Sequence, residues 1–322
     1  MRRRTPLPDS LVGRAFSIEE AREAGVSPAR LSGNDLSTPH RGVRAPAGER
    51  THGQRREDYT VRIVNGEYFS HITAAELFGV PLPAELLAGP VHVSMFRPQR
   101  ARQVRGVIHH ELEPRGQLAG HVSGVPVLHP AFVWVQLAGL LSLDDLIIAG
   151  DFLVTGSEPF DERPPLTTID ELRSAVAQAP GSRGIRAARA ALEEIRYGCL
   201  SPQETRLRLL IERAGLPAPE LNHRIYDERG SLVAMLDGAF PEHFVGYEYM
   251  GDHHRTKKST YRNDMLRRAR VEDLGWSQLD ISSDDLELRP LETLARIARR
   301  LHSAGATLRP IEYGVDARKR RR

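Results

Sequence analysis

The stretch 234–255, AMLDGAFPEHFVGYEYMGDHHR, decides the fold predicted for the C-terminal part of the chain. Runs of apolar and aromatic residues flank a Pro-containing turn, a pattern typical of two paired strands. Asp237 falls at the end of the first run, and Glu248 lies inside the second. Because side chains alternate along a strand, Glu248 and Met250 are expected on the face of VGYEYM opposite the tyrosines.

Two carboxylates held on such a hairpin predict a divalent-metal site. Asp237 and Glu248 offer the hard oxygen ligands that Mg²⁺ or Mn²⁺ prefers. An ion of this kind polarises a scissile phosphate and lowers the pKa of an attacking water. The alternative is a hairpin that carries two solvated acids with no shared ligand.

The segments around this hairpin predict a regular order of elements. SPQETRLRLLIERAG, residues 201–215, reads as a capped amphipathic helix, and the strand candidates LNHRIYD, SLVAMLD and HFVGYEYM follow it. STYRNDMLRRARVEDLGW returns to helix, SQLDIS gives a further strand, and PLETLARIARRLHSAG closes as helix. The predicted order is therefore α-β-β-β-α-β-α.

Several motifs in residues 199–310 carry a family resemblance: SPQETRLR, LDGAFP, GYEYMGDHHR, YRNDMLRRARVEDLGW and ISSDDL. In this order they resemble the restriction-endonuclease-like core of the PD-(D/E)XK superfamily. More narrowly, they look like a domain family related to the very-short-patch-repair endonucleases. The resemblance implies a metal-dependent endonuclease acting on DNA. It also implies a set of catalytic residues, with Asp237 and Glu248 as the metal ligands: Glu204, Asp237, Glu248 and His254.

Two of these assignments have their own physical arguments. Such folds often supply an acid from the first helix, but Glu204 also stands three residues after Ser201, where a capping-box glutamate bonds back to the cap amide. Both roles stay open for Glu204. His254 follows Gly251 at the position where the relatives carry a histidine, which can act as a general base or steady the leaving group.

Met250 departs from the family pattern. Two residues after the second acid, the related domain family commonly has aspartate and the wider superfamily commonly has lysine. A thioether is a soft, weak acceptor that neither ligates a hard metal well nor transfers a proton. Catalysis would need a substitute from Asp252, His254, Lys257 or Lys258. The alternative function is a non-catalytic antitoxin-like transcriptional regulator that retains the nuclease fold for binding.

Residues 12–46 predict a small helical unit followed by a strand. Ser17 and Glu20 form a capping-box pattern, Gly25 ends the first helix, and Ser27 with Pro28 begins the second. FSIEEAREAGVSPARL and RGVRAP resemble the winged-helix segment of AbiEi-type antitoxins and regulators, which implies DNA binding and a toxin as protein partner. Plain packing of a helical hairpin is the alternative.

The predicted DNA contacts are basic side chains near both of these motifs. The chain has a net charge of +3 and basic residues at both ends, which suit a phosphate backbone or serve as solubilising tails. Beside the N-terminal motif, His40 is predicted to face phosphates together with three arginines. The nucleic-acid-binding candidates are Arg30, Arg41, Arg44, Arg255, Lys257 and Lys258.

The middle of the chain predicts a mixed α/β domain. VHVSMF and VRGVIHHEL are strand candidates, and PAFVWVQLAGLLSLDDLIIAGDFLV reads as buried helices. His109, His110 and His121 lie in or near this block without cysteines or carboxylates at ligand spacing, so structural roles are expected for them.

The whole sequence predicts an α/β multidomain protein. Its segments are a winged-helix-like unit at 1–48, a mixed domain at 49–198, a restriction-endonuclease-like domain at 199–310 and a basic tail at 311–322. The apolar runs are too short for a membrane helix, the N-terminus lacks a signal-peptide core, and the single Cys199 cannot form an internal disulfide. We therefore expect a cytoplasmic, DNA-associated protein; a purely structural interaction factor would leave the basic ends unexplained.

Overall fold

The computed structural model describes residues 5–100, 103–116, 119–156, 164–251 and 258–309, apart from the side chains of 258–264. Within the described residues the chain divides into two compact units. One comprises Met1–Ala149 and Thr167–Ala190, and the other comprises Gly150–Leu166 and Ala191–Arg322. The α/β multidomain class is confirmed, whereas the predicted boundaries at 48 and 198 stay predictions.

The first unit begins with short helices and a small antiparallel sheet. Ser17 accepts a hydrogen bond from the backbone N–H of Glu20, which satisfies one of the amides that a helix N-terminus leaves without a partner. Gly25 then ends the helix with a φ of +76°, in the left-handed region that glycine adopts without strain. The elements are β1 (Phe16–Ser17), α1 (Ile18–Glu23), α2 (Pro28–Leu31), β2 (Leu36–Ser37) and β3 (Val43–Pro46), in the sheet order β1-β3-β2.

A mixed sheet forms the rest of the first unit. Its strands lie in the order β6-β5-β4-β8-β7, with β5 parallel to β6 and antiparallel to β4. VHVSMF and the end of VRGVIHHEL form the predicted strands β5 and β6. The elements are α3 (His52–Thr60), β4 (Glu67–Phe69), α4 (His71–Leu77), β5 (Val91–Phe96), β6 (Val107–Leu112), β7 (Ala119–Val122), β8 (Val125–Leu128), α5 (Pro130–Leu137), α6 (Leu143–Thr155), α7 (Ile169–Gln178) and α8 (Ile185–Glu194). The last residues of α6 and of α8 belong to the second unit.

The second unit contains the predicted succession of elements. A sheet in the order β12-β11-β10-β9 has antiparallel pairs throughout except β11 with β12, which run parallel. The predicted order α-β-β-β-α-β-α is confirmed, with a short additional helix before the last one. The elements are α9 (Pro202–Arg213), β9 (Glu220–Tyr226), β10 (Leu232–Phe240), β11 (Val245–Met250), α10 (Lys258–Asp273), β12 (Ser277–Ser282), α11 (Ser283–Glu287) and α12 (Pro290–Ser303).

Apolar side chains cover both faces of this second sheet. On one face, Tyr247 and Ile281 pack among residues of α9 and α12 such as Leu207. On the other face, Leu236 packs with Val271 of α10. Burying both faces removes most of the sheet from water, so a polar side chain within it needs a partner or a route to solvent.

None of the described helices combines the length and apolar character that crossing a bilayer requires.

Candidate functional site

Asp237 lies inside β10 and not at the end of a strand, which corrects the prediction. Leu236 and Ala239 belong to the same apolar cluster although they are three residues apart. The register shift of β10 against β9 lies between Leu232 and Ala234. The Asp237 carboxylate turns toward β11, where its Oδ2 accepts a hydrogen bond of 2.6 Å from the backbone N–H of Tyr249.

Glu248 is buried in the middle of β11 and is held by a bidentate ion pair. Its Oε1 and Oε2 accept hydrogen bonds from the guanidinium of Arg267 in α10, and the Arg267 Nη2 to Glu248 Oε2 distance is 2.8 Å. Gln278 of β12 donates a further hydrogen bond of 3.2 Å to Oε2. A buried carboxylate normally requires such compensation.

Glu204 projects from the first turn of α9 and forms part of the predicted capping box. Its backbone N–H donates to the Ser201 hydroxyl at 3.2 Å, as in the first half of the predicted capping box. Its carboxylate Oε2 accepts a 2.8 Å hydrogen bond from the Leu200 amide, one residue before the predicted cap amide. Burial raises the pKa of Glu204 above its ordinary value.

These acids act on one another electrostatically. Burial, followed by the neighbouring Glu204 carboxylate, raises the pKa of Asp237 to about 7, and Glu248 adds to the rise. The Tyr249 amide and Arg267 act in the opposite direction. The fold therefore brings acids from α9, β10 and β11 near enough to interact electrostatically, in a setting where negative charge is crowded, and their catalytic roles stay predictions.

The acids do not form a compact trio of ligand atoms. Among the described residues, one set of three His, Cys, Asp or Glu side chains has its ligand atoms within 4.8 Å of one another. That set is His71, His92 and His110, and it contains none of the acids. Asp237 and Glu248 thus approach each other without a preformed three-acid cage. His254, Arg255 and Lys257 lie outside the described residues; Lys258 begins α10, and its side chain is likewise outside them.

The N-terminal candidates for DNA contact have different environments. Arg30 is held by Asp35 in a bidentate pair, with Nη2 to Oδ2 at 2.7 Å, and Arg44 Nε donates to the Leu31 carbonyl at 3.0 Å. Both side chains therefore also stabilise the unit itself, and their assignment as phosphate-facing groups stays a prediction. Arg41 is exposed in the turn before β3 and keeps that assignment as a prediction.

His40 is also not a surface residue. It is buried, and its ring meets the Tyr59 ring edge-on with centroids 5.4 Å apart. Burial lowers the pKa of His40, so the ring is neutral near neutral pH and carries no charge for a phosphate. The prediction that His40 faces phosphates is wrong.

Sequence reasoning missed the basic side chains of α10 that form ion pairs with acids of the sheet. Arg267 pairs with Glu248, and Arg268 pairs with Asp280 of β12, which also accepts a hydrogen bond from Gln278. The signal was present in the LRRAR run, since adjacent arginines on a helix packed over a sheet reach its polar rim. Without the strand pairing, their acidic partners could not be identified.

Comparisons with known proteins find relatives that are uncharacterized. Proteins MT2308 and Rv2248 of Mycobacterium tuberculosis, from strains CDC 1551 / Oshkosh and ATCC 25618 / H37Rv, are each 30% identical to the chain over 233 residues. The match covers 72% of this chain and 80% of each relative. No family model and no solved structure matches the chain. Arguments about function therefore rest on the geometry.

Proposed function

The chain belongs to the family of the uncharacterized Mycobacterium tuberculosis proteins MT2308 and Rv2248, and we propose that it is a DNA-associated, Mg²⁺- or Mn²⁺-dependent endonuclease. The observation that carries the proposal is the approach of Glu204 in α9 to Asp237 and Glu248 in the paired strands β10 and β11. Burial first, and then the crowding of the Glu204 and Glu248 charges, raise the pKa of Asp237 to about 7. A divalent cation would relieve that crowding.

The order of elements supports the same function. The succession from α9 through β12, with β11 and β12 parallel, is the arrangement expected from the PD-(D/E)XK resemblance. In that resemblance the acids come from the first helix and from the central hairpin, which is where Glu204, Asp237 and Glu248 stand. The related domain family acts on phosphodiester bonds, so DNA is the proposed substrate.

The oxygen donors fit a hard cation to different degrees. Asp237 Oδ2 is engaged by the Tyr249 amide, and no hydrogen bond from the described residues reaches Oδ1. Both oxygens of Glu248 accept from Arg267. Asp237 and Glu204 would therefore hold Mg²⁺ or Mn²⁺ first, and Glu248 would join by releasing Arg267. The bound ion would polarise the scissile phosphate and activate water.

The chain's own cations would hold the DNA. A released Arg267 guanidinium can pair with phosphate oxygens in the same bidentate manner as it now pairs with Glu248. Arg255 and Lys257 stand in sequence between β11 and α10, and they are proposed as further phosphate contacts together with Lys258 at the start of α10. DNA as substrate and a lone cysteine, Cys199, are in keeping with a cytoplasmic protein.

One observation favours a second function, a non-catalytic AbiEi-like antitoxin or transcriptional regulator. Arg267 already neutralises Glu248 in the position where a nuclease needs a metal, and Met250 supplies no proton transfer. In this function the N-terminal helices and the exposed Arg41 would contact DNA, the nuclease-like unit would serve for binding, and a toxin would be the protein partner.

A cleavage assay separates the two functions. Full-length protein is incubated with supercoiled plasmid and Mn²⁺, in parallel with Asp237→Asn and with Asp273→Asn, a matched change at an exposed acid at the end of α10. The nuclease proposal expects nicking by the wild type and by Asp273→Asn, and none by Asp237→Asn. If all three proteins are inert but shift DNA in a gel with a steep salt dependence, the regulator is supported instead.

A further inference from the structure

The first unit contains a cluster of histidines that the proposed function does not use. One ring nitrogen from each of His71, His92 and His110 lies within 4.8 Å of the other two. The residues come from separate elements: the start of α4, β5 and β6. All three side chains are half-buried, so the cluster is shielded by protein on one side and reaches solvent on the other.

Strand register explains how two of these histidines meet. β5 and β6 run parallel, with His92 opposite Ile108 and Ser94 opposite His110. Because residues two apart on a strand share a face, His92 and His110 lie diagonally on the same face of the sheet. His92 Nδ1 and His110 Nε2 are 3.0 Å apart.

The third histidine is held by its backbone and by a second polar contact. His71 follows β4 with a φ of +50°, the left-handed region that non-glycine residues seldom adopt. Its N–H donates to Gln136 Oε1 at 3.1 Å, and its ring Nδ1 is 3.0 Å from the hydroxyl of buried Ser70. Because Nδ1 contacts the Ser70 hydroxyl, Nε2 is the His71 nitrogen left to bind a ligand. Metal-binding histidines are commonly oriented in this way, by a hydrogen bond from the ring nitrogen that does not bind the metal.

Other histidines in this unit have structural explanations that the cluster lacks. His52 Nδ1 pairs with Glu76 at 2.9 Å, and His109 Nε2 contacts the Tyr59 hydroxyl at 3.0 Å. Among the described residues, no carboxylate joins the three histidines within ligand distance. Imidazole donates a lone pair to a metal in its neutral form.

We propose that His71, His92 and His110 form a binding site for one borderline divalent transition-metal ion, Zn²⁺ in the first instance. Neutral imidazole nitrogens select this class of ion over Mg²⁺ or Ca²⁺. The described part of the chain places no fourth His, Cys, Asp or Glu ligand atom within the same distance. The fourth coordination position is then open to water, as in zinc sites with three protein ligands and a reactive solvent molecule.

Metal binding requires a small rearrangement of the rings. The His71 and His110 rings are stacked, with centroids 3.7 Å apart and planes 20° from parallel. A metal lies in the plane of each ring that binds it, so the His71 ring must tilt off His110 as the ion enters. The nitrogens of His92 and His110 need to separate only to about 3.3 Å, the spacing set by tetrahedral Zn–N bonds of about 2.0 Å.

The test uses full-length protein stripped of metal with a chelating resin and titrated with Co²⁺, whose visible absorption reports nitrogen ligation. We expect one saturating equivalent per chain, displaced by Zn²⁺. His92→Gln and His110→Gln should each weaken Co²⁺ binding by about tenfold or more. His121→Gln removes an exposed histidine from β7 of the same sheet and should leave binding unchanged. The readout is the nitrogen-ligated absorption and not total Co²⁺ uptake, which separates this site from the carboxylates.

A second measurement guards against variants that fold poorly. Zn²⁺ should raise the Tm of the wild type and of His121→Gln, because an ion that binds the folded state stabilises it, and should not raise the Tm of His71→Gln, His92→Gln or His110→Gln. The proposal is overturned if Co²⁺ produces no nitrogen-ligated spectrum. It is equally overturned if the histidine variants bind Co²⁺ as tightly as the wild type, in which case the cluster is a stack of neutral rings.

Discussion

The side chain of Asp237 in β10 takes the place of a backbone partner for Tyr249 in β11. The pairing of these strands runs from Phe240 opposite Val245 to Gly238 opposite Tyr247. Just beyond that pair, Asp237 Oδ2 accepts a 2.6 Å hydrogen bond from the Tyr249 N–H. The carboxylate thus accepts the hydrogen bond at the point where the backbone pairing of β10 and β11 ends. This contact holds the Asp237 side chain close to Glu248, which precedes Tyr249 in β11.

The first prediction concerns the pH dependence of stability in Asp237→Asn. The folded-state pKa of Asp237, about 7, lies above the ordinary value of 3.8. The folded protein therefore holds this proton more tightly than the unfolded chain, and the contribution of Asp237 to the free energy of unfolding falls as pH rises from about 4 to about 7. Asparagine carries no charge and can still accept the Tyr249 hydrogen bond.

We expect Asp237→Asn to be more stable than the wild type at pH 8, by about 4 kcal/mol, with the difference shrinking toward pH 4. Urea unfolding of both proteins across this range measures it. Asp273→Asn, at an exposed position, provides the matched control and should follow the wild-type curve. A constant difference between Asp237→Asn and the wild type at every pH would contradict the argument.

The second prediction concerns Arg267 as a built-in counter-ion. Arg267→Gln leaves buried Glu248 with Gln278 as its remaining hydrogen-bond donor among the described residues, so the free energy of unfolding should fall by about 1–3 kcal/mol. Because Glu248 then loses both hydrogen bonds from the guanidinium, Mn²⁺ should raise the Tm of this variant more than that of the wild type.

A neighbouring arginine supplies the control for this prediction. Arg268→Gln removes a similar charge from α10, but its partner is Asp280, at a more exposed position. Its response to Mn²⁺ should match that of the wild type. If Mn²⁺ shifts the Tm of Arg267→Gln and of the wild type equally, Arg267 does not compete with a cation for Glu248.

The sequence predicted the second unit well because its signals are local. The helix at Pro202–Arg213 begins at the predicted Ser201 cap, and SQLDIS is the strand Ser277–Ser282. Capping and strand alternation depend on near neighbours, so a single sequence carries them. The pairing of Glu248 with Arg267, nineteen positions later, depends on helix packing over the sheet, which no local pattern encodes.

The same limit explains the errors elsewhere. The end of the apolar run placed Asp237 at a strand end, but β10 continues to Phe240, and the Asp237 side chain reaches the Tyr249 amide of β11. His40 was expected to face phosphates, and it is buried against Tyr59 instead. His71 and His92 attracted no attention because they stand far apart in sequence from each other and from His110; strand register brings His92 and His110 together, and His71 joins them from the start of α4.

The third prediction concerns the contact between Gly238 and Tyr247. These residues are paired across β10 and β11, and a Cβ added at Gly238 would overlap the Tyr247 ring. The ring is packed in the core with Leu207 and Ile281 and cannot move aside. Gly238→Ala should therefore lower the free energy of unfolding by about 1–3 kcal/mol through overpacking, measured by urea unfolding.

A glycine with open space tests whether the loss is steric. Gly120 of β7 has no heavy atom within 4 Å of an added Cβ, so Gly120→Ala should not reduce stability. Combining Gly238→Ala with Tyr247→Ala removes the overlapping ring. The double variant should then lose less stability than the sum of the losses of the two single variants. Full additivity would show that the glycine matters for another reason.

The fourth prediction concerns the buried ion pair between Asp151 and Arg208. The Asp151 carboxylate accepts hydrogen bonds from the Arg196 N–H at 2.8 Å, and from the Thr205 hydroxyl and Arg208 Nη2 at 2.9 Å each. Arg208 is fully buried, with Glu212 as its other acidic partner at 2.9 Å. Asp151→Ala therefore leaves a buried cation short of compensation and should lower the free energy of unfolding by about 3–5 kcal/mol.

Two further variants establish that burial, and not charge pairing as such, sets this cost. Glu220→Ala breaks the exposed pair with His223 in the same unit and should produce no measurable change in the urea midpoint. Replacing both buried charges, as Asp151→Leu with Arg208→Met, should recover part of the stability lost by Asp151→Ala, because no unpaired ion remains. A double variant less stable than Asp151→Ala would mean that the hydrogen bonds of Asp151 to Arg196 and Thr205, and not the stranded guanidinium, dominate the loss.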